Sequence, residues 1–367
     1  MLNKIFASLC FAGLLATSAI AQSAHFHIFI LFGQSNMEGV PQPEAVDTVT
    51  DPRIQVLAYN SCSNLTPTRV YDQWYTASPP LHSCYLGVGP GDYFAKTLLK
   101  SIPAGDTIGL VPCAIAGVDI DFFRKGIVSA RRSQFTIPPD NSYTGAYQFM
   151  LDRAKLAQQR GVIEGMLFHQ GESNAGQLTW VGQVREIVTD LRADLGIPNL
   201  PFVAGEVLYN GCCSTHNFRV KQIPDSISNS AIVSAALDES IYWSASVAGL
   251  PMYTGDTYKA HFNLEGQREL GRRYAMKMMP MLPAGLVTAT REVNAINAFE
   301  VHKVLGGLLV TSSMEFTQIS MVNMNGAVSK IAANSSGFIS TQGIPQGLYI
   351  LRVGDGSKRF QRLWLID

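Results

Sequence analysis

The chain has no excess of either charge. Its 28 Lys and Arg stand against 28 Asp and Glu, so the basic stripe a nucleic-acid binder needs is missing. There is no Gly-x-x-x-x-Gly-Lys phosphate loop, which removes the commonest nucleotide-binding reading. There is also no Gly-x-Ser-x-Gly, which argues against the α/β-hydrolase fold. Cysteines and histidines do not fall at Cys-x-x-Cys or His-x-x-x-His spacing, so no metal centre is expected and no cofactor is called for. No repeat of 20 to 50 residues and no low-complexity tract interrupts the main body. After the N-terminal segment, no apolar run reaches the roughly 20 residues of a membrane-spanning helix.

What is present is a chain of 367 residues, 47% hydrophobic, enough to bury at least one substantial core and long enough for two domains. Residues 1–21 read as a signal peptide. Lys4 gives a positive start, Ile5 to Leu15 is mostly apolar, and Ala19-Ile20-Ala21 offers the small residues of a cleavage site. The mature chain is therefore expected outside the cell or on its surface. Cys10 would leave with the leader, and Cys62, Cys84, Cys113, Cys212 and Cys213 would remain. An odd number leaves one unpaired. Cys62 and Cys84 flank a loop region rich in Pro, Ser and Tyr, and closing it would stabilise the fold by about 3 kcal/mol. Of the adjacent pair, either one cysteine joins Cys113 or the two bridge each other.

Short apolar runs alternate with helical patterns. Strands are expected over His27 to Phe32, Thr107 to Pro112, Gly165 to His169, Phe202 to Val207 and Ala231 to Ala235. Helices are expected over Asp92 to Ser101, Ala146 to Arg160, Leu178 to Leu195 and Glu265 to Met279, with Gly161 and Gly196 as stops. The pattern predicts an α/β fold with a parallel sheet covered on both faces, whose ligands gather at the carboxyl ends of the strands. From residue 286 on, helical periodicity gives way to short β-type runs separated by Asn-Gly, Ser-Ser-Gly, Pro-Gln-Gly and Asp-Gly turns. The expected organisation is a domain over 22–285 followed by a small all-β sandwich over 286–367, an accessory or sorting module.

The apolar run HIFILF stops abruptly at Gly33-Gln34-Ser35-Asn36. A serine at a strand-to-helix junction is ordinarily a helix cap. At the carboxyl end of a strand, however, it is also where a nucleophile is useful, because the following N–H groups point outward toward developing negative charge. Three distant segments support the second reading. Gly117, in the AGVDI segment after the second strand, allows a backbone N–H to approach a ligand. His169-Gln170-Gly171-Glu172-Ser173-Asn174 puts four polar side chains at one strand end, costly unless they are bonded or face a wet cleft. His261 lies in a turn ahead of the last long helix.

In this order, GQSNMEG, the GPG of residues 89–91, AGVDI, HQGESN and the late His-Phe before GQRELGRRYA resemble the blocks of the SGNH hydrolase superfamily. More narrowly, they resemble carbohydrate esterase family 6 and the sialate O-acetylesterase-like group, over about residues 25–283. The resemblance implies a flavodoxin-like three-layer α/β/α sandwich that removes acetyl groups from sugars through an acyl-enzyme. It makes Ser35 the nucleophile, His261 the general base, and the N–H groups of Ser35 and Gly117 part of an oxyanion hole. Gln170 becomes a candidate third donor, and Gln34 and Asn36 candidate oxyanion or substrate contacts. The triad acid departs from the superfamily pattern of Asp-x-x-His: Tyr258 stands three residues before His261. Both Asp256, five residues before it, and Glu172 of HQGE are candidates.

Acetylated xylan is the first substrate suggested, with sialate or other acetyl sugars as alternatives using the same residues. A non-catalytic carbohydrate-binding protein on this fold is the reading from a different class. Trp180 and the Tyr71-Asp72-Gln73-Trp74-Tyr75 stretch are candidate sugar-stacking residues. The tail from Gly343 resembles the C-terminal sorting domains of type IX secretion substrates, which would make the secretion machinery a partner.

Overall fold

The fold is built outward from β1 (Ser23–Gly33), whose alternating side chains go to two apolar cores. Phe29 and Leu31 enter one core and Ile28, Ile30 and Phe32 the other, all fully buried. A strand covered on both faces must read as a continuous apolar run, and this one does. Fully burying a side chain such as Phe29 or Phe32 stabilises by roughly 2 to 3 kcal/mol. The structure, a computed structural model, describes residues 23–237, 248–287, 299–304, 307–312, 318–323, 328–332, 338–345, 347–354 and 359–366. The expected signal peptide lies outside the described residues.

After β1 come a one-turn helix, α1 (Ser35–Glu38), and two short strands, β2 (Ile54–Leu57) and β3 (Trp74–Thr76). They are followed by α2 (Pro90–Leu98), β4 (Thr107–Pro112), α3 (Ala146–Gln158) and β5 (Gly161–His169). The chain continues through α4 (Trp180–Leu195), β6 (Phe202–Gly205), α5 (Asn217–Val220), α6 (Ile223–Ser226), β7 (Ser230–Val233) and α7 (Leu264–Met278). The seven strands form one sheet in the order β3-β2-β4-β1-β5-β6-β7. Every pairing is parallel except that of the edge strand β3 with β2. Residues of α3 and α4 belong to the core on one face and those of α2 and α7 to the core on the other. The expected three-layer α/β/α fold is what the chain adopts.

Strand β1 is the switch point of the sheet: β2, β3 and β4 all lie on one side of it, and the chain then crosses to β5, β6 and β7 on the other. At such a point the loops leaving two neighbouring strands diverge and open a crevice at the carboxyl ends. Gly33 makes the close approach possible there. Its φ is +131°, and a Cβ on it would lie 2.1 Å from the carbonyl oxygen of His169.

Disulfides join Cys62 to Cys84, with 5.6 Å between Cα atoms, and Cys212 to its neighbour Cys213. Cys113 is free and buried. Trp180 is not available for stacking on sugar: it is fully buried and stacks on Phe168. Tyr71 and Trp74 likewise pack against the core, Trp74 edge-on to Phe26. Among the described residues no helix is long and apolar enough to cross a membrane.

Beyond residue 298 the described residues are all strands and turns. β8 (Phe299–Val304), β9 (Gly307–Ser312), β10 (Gln318–Asn323), β11 (Val328–Ala332), β12 (Phe338–Ser340), β13 (Gly347–Gly354) and β14 (Arg359–Ile366) pair antiparallel. They form a four-stranded sheet, β11-β10-β13-β14, and a three-stranded one, β12-β9-β8.

Candidate active site

Ser35 opens α1 directly after the central strand. His261 lies two residues before Asn263, which caps α7 by accepting from the N–H of Gly266. Although 226 positions separate them, the Oγ of Ser35 and the Nε2 of His261 are 2.9 Å apart. On the other side of the imidazole, Nδ1 is 2.9 Å from Oδ2 of Asp256. Hydroxyl, imidazole and carboxylate thus form one hydrogen-bonded line at the carboxyl end of β1.

The loop carrying Asp256 and His261 is wrapped around the aspartate itself. Oδ2 accepts from the N–H groups of Ala260 (2.7 Å) and His261 (2.8 Å), and Oδ1 from that of Tyr258 (3.0 Å). Lys259 takes a left-handed φ of +51° to make the turn. This is how a spacing of five residues does the work of three: Tyr258 and Lys259 bulge outward, and Tyr258 is exposed. Burial works against the charge on Asp256. The N–H groups of Ala260, His261 and Tyr258, with the imidazole beside it, outweigh burial and hold the carboxyl below its ordinary value.

Glu172 does not touch His261, which corrects its candidacy as the orienting acid. Its Oε1 accepts from the side-chain amide of Asn36 at 2.6 Å and lies 3.8 Å from Nε2 of His169. Burial pushes its carboxyl up to about 7, against the opposing effects of its own N–H and of Asn36. Burial also lowers His169 to about 3, so that imidazole is neutral. Asn36 is a brace rather than an oxyanion or substrate contact. Fully buried, it donates to the carbonyl of Ala260 (2.8 Å) and accepts from the N–H of Phe262 (3.2 Å), gripping the chain on both sides of His261.

Gln170 is likewise not free to serve as a donor. Its carbonyl oxygen accepts from the indole of Trp180 (2.6 Å), and its amide donates to Asn174 and to the carbonyl of Val118. The residue is completely buried, so both amide protons are used inside the fold. Gln34 turns inward as well, its side-chain oxygen accepting from the N–H groups of Gly171 (3.4 Å) and Ser173 (3.3 Å). Gly117 has a left-handed φ of +73° in the loop after β4, and its carbonyl accepts from the Ser173 hydroxyl at 2.9 Å. The loops after β1, β4 and β5 are therefore tied together through Gln34, Ser173 and Gly117.

Ser173 and Asn174 are site-building residues that the sequence reading did not single out, although HQGESN contains both. Asn174 accepts from the N–H of Ile120 at 2.9 Å and so fixes the chain just past Gly117. Among the described residues, no group of three or more His, Cys, Asp or Glu side chains is arranged to hold a metal ion.

The chain is similar to known carbohydrate esterases. The model of a family described as "carbohydrate esterase, sialic acid-specific acetylesterase" matches residues 25–280, well over half of the chain. A probable carbohydrate esterase of Arabidopsis thaliana is 26% identical in an alignment of 261 positions that covers 66% of this chain and 86% of that protein. The crystal structure of the same Arabidopsis protein covers 70% of this chain and 99% of its own, with a TM-score of 0.53 and 24% identity. The crystal structure of NanS covers 71% and 98%, with a TM-score of 0.51 and 18% identity.

Proposed function

The chain belongs to the sialic acid-specific acetylesterase family of carbohydrate esterases, and on that premise we propose that it removes O-acetyl groups from sugars with Ser35 as nucleophile. The observation that carries the reading is the line Ser35 Oγ, His261 Nε2, His261 Nδ1, Asp256 Oδ2, with 2.9 Å at each contact. In the proposed reaction His261 takes the Ser35 proton as Oγ attacks the acetyl carbonyl. The N–H groups of Ser35 and Gly117 receive the oxyanion, each such donor being worth about 3 kcal/mol to a transition state of this kind. Collapse of the tetrahedral species expels the sugar oxygen, which takes its proton from His261 and leaves acetyl-Ser35. Water, deprotonated by the same imidazole, then releases acetate. Asp256 keeps Nδ1 protonated and stabilises the imidazolium.

The proposed substrate is an O-acetylated carbohydrate. Acetylated xylan is the first to assay and O-acetylated sialic acid, named in the family's description, the second. The signal-like N-terminal segment and the sorting-like tail support export, and the two antiparallel sheets beyond residue 298 suit an accessory module. The test is acetate release by purified protein. Wild type should release acetate and Ser35→Ala should not, with unchanged circular dichroism. If the two are equally inert across acetyl sugars, the carbohydrate-binding reading replaces this one.

A further inference from the structure

The loop bearing Asp256 and His261 is held from two sides. Asn36 holds it from within the fold. From outside it is held by the corner Gly211-Cys212-Cys213: the N–H of Cys212 donates to the carbonyl of Lys259 at 2.9 Å. Lys259 is the left-handed residue on which the bulge turns, two positions before His261. The corner is fitted closely to it, since a Cβ on Gly211 would lie 2.4 Å from that same carbonyl oxygen. On its other flank, Sγ of Cys213 lies 3.7 Å from the carbonyl oxygen of Glu172. The corner is therefore wedged between the two loops that carry His261 and Glu172. The disulfide between adjacent residues closes a ring around their shared peptide bond, so ψ of Cys212 and φ of Cys213 cannot rotate independently, and the Cys212 nitrogen that donates to Lys259 is held at a nearly fixed place relative to the Cys213 sulfur lodged against Glu172. Cys212 is exposed and Cys213 half-buried, so a reductant can reach the bridge.

We propose that the Cys212–Cys213 bridge is a positioning device for His261: it fixes the Cys212 N–H against Lys259 and so sets the imidazole over Ser35. The bulged spacing between Asp256 and His261 needs an external prop, and this corner supplies it. Reducing the bridge withdraws the prop. With a water-soluble trialkylphosphine the S–S bond breaks, phosphorus takes the oxygen of water and becomes the phosphine oxide, and the two sulfurs take the two protons.

The inference rests on the Ser35–His261 reading, and the experiment separates the two. Hydrolysis of 4-methylumbelliferyl acetate by the full chain is followed with and without the phosphine. The proteins compared are wild type, Cys212→Ser/Cys213→Ser, Gly211→Ala and Ser35→Ala, with alkylation and mass spectrometry reporting which cysteines are free. Misplacing a catalytic group slightly is costly, so reduced wild type should lose about ten-fold or more in kcat while KM changes less than about two-fold. Re-oxidation should restore kcat. The double-serine variant should start at the low kcat and ignore the phosphine, and Gly211→Ala should show the same selective kcat loss with its cysteines intact. The proposal is overturned if wild type with free Cys212 and Cys213 keeps its kcat, if the double-serine variant loses as much on reduction as wild type does, or if Gly211→Ala turns over normally. If the double-serine variant does not fold, reduced wild type and Gly211→Ala decide. Activity retained by Ser35→Ala would instead overturn the proposed function.

Discussion

The choice between two carboxylates makes the sharpest prediction. Asp256→Asn removes the charge that faces His261 while leaving an oxygen able to accept from the N–H groups of Ala260 and His261, so the loop should keep its shape. The ion pair formed in the transition state involves a side chain 3% exposed in Asp256 and 19% exposed in His261, a partly wet setting. There, opposite charges about 4 Å apart are worth about 4 kcal/mol at an effective dielectric of about 20. Losing that charge should slow kcat roughly 10³-fold. An asparagine can also donate to Nδ1 and select the wrong tautomer, which would bring the loss to the order of 10⁴-fold. Glu172→Gln keeps an oxygen for the Asn36 amide and changes nothing that touches His261, so kcat should stay within about five-fold of wild type. Initial rates on an activated acetyl ester, with thermal melts to show that both variants are folded, measure both numbers. The reasoning is refuted if Glu172→Gln loses as much as Asp256→Asn, or if Asp256→Asn stays within ten-fold of wild type.

Glu172 should instead reveal itself in stability against pH. Its folded value of about 7 lies above the ordinary 4.5, so the native state holds the proton longer than the unfolded chain does. Stability should therefore fall as pH rises from about 4.5 to 7 and level off above, by about 3 kcal/mol. Buried Glu38 and Asp92, pushed up to about 8 and about 7, add to the decline in both proteins, so urea titrations at pH 5 and pH 8 should show a decline smaller in Glu172→Gln than in wild type by about this amount; an equal decline in both would contradict it. Breaking the Cys62–Cys84 bridge, which closes a loop of sequence separation 22, should cost about 3 kcal/mol, measurable as a lowered urea midpoint in Cys62→Ser/Cys84→Ser; an unchanged midpoint would count against it. Gly33→Ala should fail to fold or melt many degrees lower, because the new methyl would meet the His169 carbonyl at 2.1 Å; a wild-type melting curve would show that β1 and β5 need not approach so closely.

The strands and helices legible in the sequence were those that periodicity and burial both mark. β1, β4, β5, β6 and β7 read as apolar runs because helices cover them on both faces, and α2, α3, α4 and α7 were found within a few residues of their ends. β2 and β3 were missed. IQVL and WYT are only four and three residues long, too short for a pattern to repeat, and they lie toward one edge of the sheet. In the site, Ser35 and His261 were legible because each stands where an element ends. The sequence does not choose between Asp256 and Glu172 because spacing alone does not reveal a bulge; Lys259 carries no glycine-like mark of its left-handed turn. Gln170 and Asn36 are site candidates only through the family resemblance, which does not show where their amides go: they are spent on Trp180, Asn174, Glu172 and the backbone around Val118 and His261.

On the proposed mechanism, the 226 positions between hydroxyl and imidazole would also govern when activity can begin during synthesis. The serine emerges from the ribosome early, but its base is made only after all seven strands of the main sheet, and α7 must still dock beside α2 to seat it. A nascent or truncated polypeptide ending before that helix holds an inert alcohol. On the proposed mechanism, hydrolytic competence would thereby wait on completion of the layered core.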